Sequence, residues 1–119
     1  MRNFRELEIW KRSYKVANEI YTITTEFPDN EKYGLISQMR RCAVSIPSNI
    51  AEGSSRSSNK EMKRYIEIAI GSSFELETQL LIATEQGLTA TGTSEILDEI
   101  NQIQKMMNAF RTKLKETKT

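Results

Sequence analysis

The chain has 119 residues, with 17 lysines and arginines against 16 aspartates and glutamates, and a formal net charge of +1. Apolar residues make up 38% and charged residues 28%, a globular balance suited to a single domain spanning 1–119. There is no histidine and only one cysteine, Cys42, which excludes histidine-based acid–base catalysis, Ser-His and Cys-His nucleophile pairs, the commonest zinc and iron ligand sets and an internal disulfide.

The longest uninterrupted apolar run, Leu80 to Ala83, is far short of the ~20 residues that span a bilayer, so no membrane segment is expected. The opening MRNFRELEIWKRS lacks the apolar core of a secretory signal, and a cytoplasmic location is the expectation. The chain has 2 prolines and 5 glycines, which favours helices over a turn-rich β fold.

Four helix-period segments follow one another. The first spans about 5–26. Trp10, Tyr14, Ala17 and Tyr21 recur on one stripe, with Ile9, Val16, Ile20 and Ile23 on a second beside it. Pro28 ends it, because the residue before a proline is pushed out of helical geometry. Helix 1 is thus apolar over more than one face, more than a lone bundle would fully bury; core packing and a surface for a second subunit are the two main readings of its aromatic stripe.

The second segment spans about 32–54, on Ile36, Met39, Ala43, Ile46 and Ile50. Pro47 interrupts it. The apolar period stays in phase across the proline, which predicts one continuous helix kinked near Pro47; Asn49 with Glu52 offers the alternative of a restart with a capping box. Cys42, among Ala43, Val44 and Ile46, reads as a small buried apolar residue.

The third segment spans about 59–86, with Asn59 as its N-cap and Gly87 just past its end. Its stripe is Met62, Tyr65 or Ile66, Ala69, Ser73, Leu76, Leu80 and Ala83, and Gly71-Ser72-Ser73 forms a small patch where another helix could approach. The fourth spans about 93–115 on Ile96, Ile100, Ile103, Met107, Phe110 and Leu114. Short linkers, including 87–93, join them. The prediction is all-α: an antiparallel up-down four-helix bundle.

The small net charge hides a segregation. Residues 65–99 hold seven acidic groups and no basic one, whereas residues 38–64 hold six basic and two acidic groups. Folded as an up-down bundle, one pole collects Arg2, Arg5, Lys11, Arg12, Arg56, Lys60, Lys63, Arg64, Arg111, Lys113 and Lys115. The other collects acids such as Glu19, Glu26, Asp29, Glu85, Glu95 and Glu99. A basic pole attracts phosphate. The candidate contacts to RNA or DNA are Arg5, Lys11, Arg12, Arg56, Lys60, Lys63, Arg64, Arg111 and Lys113; the competing reading is a set of solvated helix ends. Trp10, Tyr14, Arg40 and Arg41 are the candidate subunit-interface residues, the two arginines as partners for acidic residues of helix 3 or 4 of another copy, with a phosphate contact as their alternative.

The stretch QMRRCAVSIPSNIAEG at 38–53 resembles a bacterial four-helix-bundle family, first noticed as open reading frames in intervening sequences of 23S ribosomal RNA genes. LEIWKRSYKVANEIY at 7–21 and NKEMKRYIEIAIGSSFELETQLLIA at 59–83 look like that family's first and third helices. The resemblance implies an up-down bundle assembled as a homopentamer. A related, strongly basic branch comprises accessory proteins of diversity-generating retroelements, which bind nucleic acid and a reverse transcriptase. No catalytic residue attaches to the motif, and no cofactor or metal is implied. A carboxylate di-metal site drawn from Glu67, Glu75, Asp98 and Glu99 would need Glu-x-x-His motifs that a histidine-free chain lacks.

The expected role is therefore a non-enzymatic homo-oligomeric scaffold binding nucleic acid through its basic pole. The alternative is an adaptor that docks a protein partner. A helical ribonuclease of the Arg…His type is disfavoured, since histidine is absent.

Overall fold

Near the start of the described chain the Asn3 side chain accepts from the Arg5 N–H and caps a single 3-10 turn, Phe4–Glu6. Helix α1 follows at Glu8–Thr24 and ends before Pro28. A 3-10 turn and a wide turn, Lys32–Ile36, lead into α2 at Ser37–Ser54. Helix α3 runs Asn59–Glu85 and α4 runs Ser94–Glu116. Residues 2–90 and 92–116 are described in this computed structural model, with side chains through residue 114. Thr91 of the 87–93 linker and the side chain of Lys115 lie outside the described set. Among the described residues there are four α-helices and no strand.

The expectation of one continuous α2 holds over its alternative, and two local readings are corrected. Helix α2 passes through Pro47 without restarting, and Asn49 makes no capping box: its amide donates back to the Ser45 carbonyl (2.8 Å) and hydroxyl (3.0 Å). The N-cap of α3 is Ser58, one residue before Asn59; its hydroxyl accepts from the Glu61 N–H at 3.2 Å. Helix 1 is shorter than 5–26, because a 3-10 turn replaces its first residues.

Gly87 (φ 64°) closes α3. Its N–H donates to the Thr84 carbonyl and the Leu88 N–H to the Ala83 carbonyl, each at 3.1 Å, a two-bond helix stop that needs a left-handed residue.

Each helix buries one stripe. Ile9, Val16, Ile20 and Ile23 of α1 meet Met39, Ala43, Ile46 and Ile50 of α2 in a single core, completed by α3 and α4 through residues such as Met62, Leu76, Ile100 and Met107. The core stripe of α1 is thus the isoleucine–valine one. The aromatic stripe lies outside it, with Tyr14 and Tyr21 exposed and Trp10 half-buried.

Paired residues rise in number on one helix as they fall on the next. Arg2 N–H donates to the Ser54 carbonyl at 2.9 Å, while Arg40 reaches Thr24 at 2.9 Å. The hydroxyls of Ser45 and Ser72 meet at 2.8 Å, and Gly53 sits against Met62. Thr84 meets Thr93 (2.7 Å), Glu77 accepts from Gln104 (2.9 Å), and Glu67 faces Arg111 (3.6 Å). On the fourth seam, Ile9 lies by Phe110 and Ile23 by Ile96.

The α2–α3 seam is the most extensive. A Cβ built on Gly53 would stand 2.8 Å from Met62 Sδ and 2.8 Å from Tyr65 Cβ, so only glycine permits this approach. Gly53→Ala is expected to destabilise the fold by about 1–3 kcal/mol through overpacking, read as a lowered urea midpoint. Gly92→Ala, where a Cβ meets nothing within 4 Å, serves as the control and is expected to leave the midpoint unchanged.

Candidate functional site

One end of the molecule is organised by Arg2. Its backbone holds the last residue of α2, its guanidinium donates to Asn59 Oδ1 at 2.7 Å at the start of α3, and it lies 6.0 Å over the Phe110 ring of α4. The start of the chain, the end of α2, the start of α3 and the end of α4 therefore converge, and their cations converge with them. The opposite end holds the hydroxyl of Thr89 donating to Glu26. The molecule extends 49 Å along its long axis, several times the ~8 Å screening length at physiological salt, so charges at the two ends act independently.

The nine candidate phosphate contacts do not form one set. Arg12 stands away from the end: Nε and Nη2 donate to both carboxylate oxygens of Glu99 (2.8 and 3.0 Å), and Nη1 lies 3.0 Å from Met106 Sδ. Arg12 and Glu99, assigned to opposite poles by sequence, are partners in a half-buried clamp between α1 and α4. Arg56 donates to the Tyr65 hydroxyl (2.6 Å) and pairs with Glu52 (3.2 Å). Arg111 faces Glu67 at 3.6 Å and donates to Asn108. Lys11 pairs with Glu8 at 3.6 Å on the exposed face of α1. Arg5 lies 4.7 Å over its neighbour Phe4. Lys113 is exposed beside Phe110. Lys60, Lys63 and Arg64, in the first two turns of α3, have no ion-pair partner among the described residues.

Aromatic rings do stand at this end, and three of them have an arginine of the same chain over them: Arg5 on Phe4 (4.7 Å), Arg56 on Tyr65 (5.1 Å), Arg2 on Phe110 (6.0 Å). The rings hold the arginines in place and are themselves covered. The end offers fixed cations and three free ones, a surface suited to phosphates rather than to stacked bases.

The interface candidates also divide. Arg40 donates through Nε to Thr24 Oγ1 (2.9 Å) and through Nη2 to the Tyr21 carbonyl (3.3 Å), with its guanidinium 4.6 Å over the Tyr21 ring. It neutralises the negative C-terminal end of α1, a role absent from the sequence reading because Arg40 and Thr24 are 16 positions apart. Arg41 is exposed. Trp10 stacks on Tyr14 (4.9 Å, 20°) and receives Phe4 edge-on (5.1 Å). Between α1 and α2, Trp10, Tyr14 and Tyr21 wall a groove of about 330 Å³, with Ala17, Pro47 and Ala51 also lining it. It continues into a second hollow of about 510 Å³ lined by Tyr33, Lys32, Arg40 and Arg41.

Cys42 is buried, and its thiol is pushed up to about 11 by burial, then by a hydrogen bond to Glu75 and that carboxylate's charge. Among the described residues no group of three or more His, Cys, Asp or Glu is placed to hold a metal, and no helix is long and apolar enough to cross a membrane.

The family model described as 23S rRNA-intervening sequence protein matches residues 5–109. No curated protein matches the chain.

Two outcomes follow from the geometry. At pH 8 the native thiol stays protonated, so Cys42 is expected to react with a disulfide reagent at least tenfold more slowly than in urea-unfolded protein, the ratio narrowing as pH rises towards 11. A thiol that reacts equally fast in both states would contradict its burial. Arg12→Ala, which leaves Glu99 without its clamp, is expected to cost about 1–2 kcal/mol in urea unfolding.

Proposed function

The chain belongs to the 23S rRNA-intervening sequence protein family, and on that basis we propose that it is a non-enzymatic, homo-oligomeric scaffold that holds RNA against its basic end in the cytoplasm. The observation that carries the RNA contact is the trio Lys60, Lys63 and Arg64, exposed at Lys60 and Arg64 and half-buried at Lys63, with no ion-pair partner among the described residues. Most other arginines of that end are committed to rings or carboxylates of their own chain. These three are not, and Lys60, in the first turn of α3, stands where the positive end of the helix dipole disfavours a cation by a few tenths of a kcal/mol (roughly). Among the described residues no ion pair offsets these charges, which supports an external anion.

The covered aromatic rings at this end support recognition of the phosphate backbone rather than of base identity. The reading assigns no catalysis. The chain has no histidine, its one thiol is held protonated by burial, and Glu52 and Glu67 are partners of arginines. Self-assembly is supported by the aromatic face of α1 and α2, which the monomer leaves open.

Binding of a fluorescent RNA hairpin, followed by anisotropy from about 50 to 200 mM salt, tests the proposal. Wild-type affinity is expected to fall steeply with salt. The variant Lys60→Glu/Lys63→Glu/Arg64→Glu is expected to lose binding, whereas Arg12→Ala keeps it within about twofold, since Arg12 is already paired with Glu99. Absence of binding at the lowest salt would sink the RNA role and leave docking of a protein partner as the working view.

A further inference from the structure

We infer that the outer face of α3 seats in the α1–α2 groove of a second copy, side by side and with like ends together; this rests on the homo-oligomer reading and names its interface. Among the described residues the exposed large apolar side chains are Tyr14, Tyr21, Tyr33 and Val44, on or beside the groove, and Ile68, Phe74, Leu81 and Ile82, all on α3. They fall on two faces of different shape. One is a groove and the other is the back of a single helix whose opposite side is core. Two unlike faces that fit each other make a head-to-tail contact, which closes into a ring or grows as a filament.

Gly71 supports a close approach from outside. It lies in the middle of α3, where glycine disfavours a helix relative to alanine. Its own chain has no use for the missing side chain, since a Cβ there meets nothing within 4 Å. An external helix or wall pressed onto this face would use that space. At Gly53, by contrast, the crowding lies within the chain.

Charge selects the occupant. The groove and the hollow beyond it are lined by Lys32, Arg40 and Arg41 and by no carboxylate. The α3 face carries exposed Glu75 and Glu85, and the chain has no basic residue from 65 to 99. Like ends together is the arrangement that matches these charges. The Ser45–Ser72 pair sets a common level within one chain. From it, at ~1.5 Å of rise per residue, Phe74 and Val44 lie within one turn towards the acidic end, and Arg41 and Glu75 lie about one turn away in the same direction. A parallel neighbour with no axial shift therefore brings Phe74 to Val44 and Glu75 to Arg41. The same arrangement gathers every copy's Lys60, Lys63 and Arg64 on one rim, where weak phosphate contacts add by multivalency.

Sedimentation velocity over a concentration series tests the interface with two variants of exposed residues, Phe74→Arg on the α3 face and Val44→Arg in the groove. Circular dichroism checks that each remains helical. Wild type is expected to sediment as a multimer and each variant as a monomer, with association weakened about thirtyfold or more. An equimolar mixture of the two is expected to form dimers and nothing larger, because each variant keeps the one face the other needs. Wild-type multimers unaffected by either variant would overturn the interface while leaving self-assembly standing. Loss in Val44→Arg alone would mean that the groove pairs with itself, and would also overturn it. Wild type that stays monomeric at the highest concentration would remove both the interface and the homo-oligomer reading. RNA binding lost in Val44→Arg, with assembly intact, would give the groove to RNA and overturn the proposal.

Discussion

The contact on which the rest of the structure depends is the approach of α2 to α3 at Gly53. The last turn of α2 and the first of α3 are close enough that a single Cβ would collide with Met62 and Tyr65. That approach turns the chain back on itself and sets the level at which Ser45 meets Ser72. Once that level is set, α1 and α4 have little freedom. Arg40 pins the end of α1 to α2, and the Arg12–Glu99 clamp ties α1 to α4. The two surfaces of interest then stand at fixed positions: the basic end where Arg2 touches three helices, and the groove between α1 and α2.

Arginine serves two purposes in this small fold. Arg2, Arg12, Arg40 and Arg56 act as long, planar struts that satisfy carbonyls, hydroxyls or carboxylates while their guanidinium faces cover rings or their stems fill seams. Lysine dominates where the charge is left free, at Lys60 and Lys63 beside Arg64. The division is physical. A guanidinium carries several fixed donors and loses little by being held, whereas an ammonium at the surface keeps its hydration until a phosphate replaces it. Raw charge counts therefore overstate the basic end, since part of its nominal charge is consumed in holding the fold together.

Much of the architecture was legible in residue order. The isoleucine–valine stripe of α1 and the four-three-four spacing of Ile96, Ile100, Ile103 and Met107 appear in the core as read, because a helix's period alone dictates which side chains share a face. Gly87 was legible because a left-handed residue after a helix is overwhelmingly a glycine. The cap of α3 was misplaced by one residue because Ser58 and Asn59 are both competent acceptors, and the choice between them depends on where Glu61 lands. The site was less legible than the fold. Lys60, Lys63 and Arg64 were among the candidates, but so was Arg12, whose partner lies 87 positions away.

By itself the sequence determined what is local and periodic: four helices, the apolar stripe of each, their stops, and a division of charge along the chain. These follow from backbone geometry and side-chain chemistry within a few residues. Only the tertiary structure decided which arginines are spent and which cations remain free, that rings at the basic end lie under arginines, and that two unlike apolar faces stay uncovered at one level. Those outcomes depend on distances between residues far apart in the chain. Such distances are set by how closely helices approach, and at Gly53 that approach turns on the space one missing methyl group leaves.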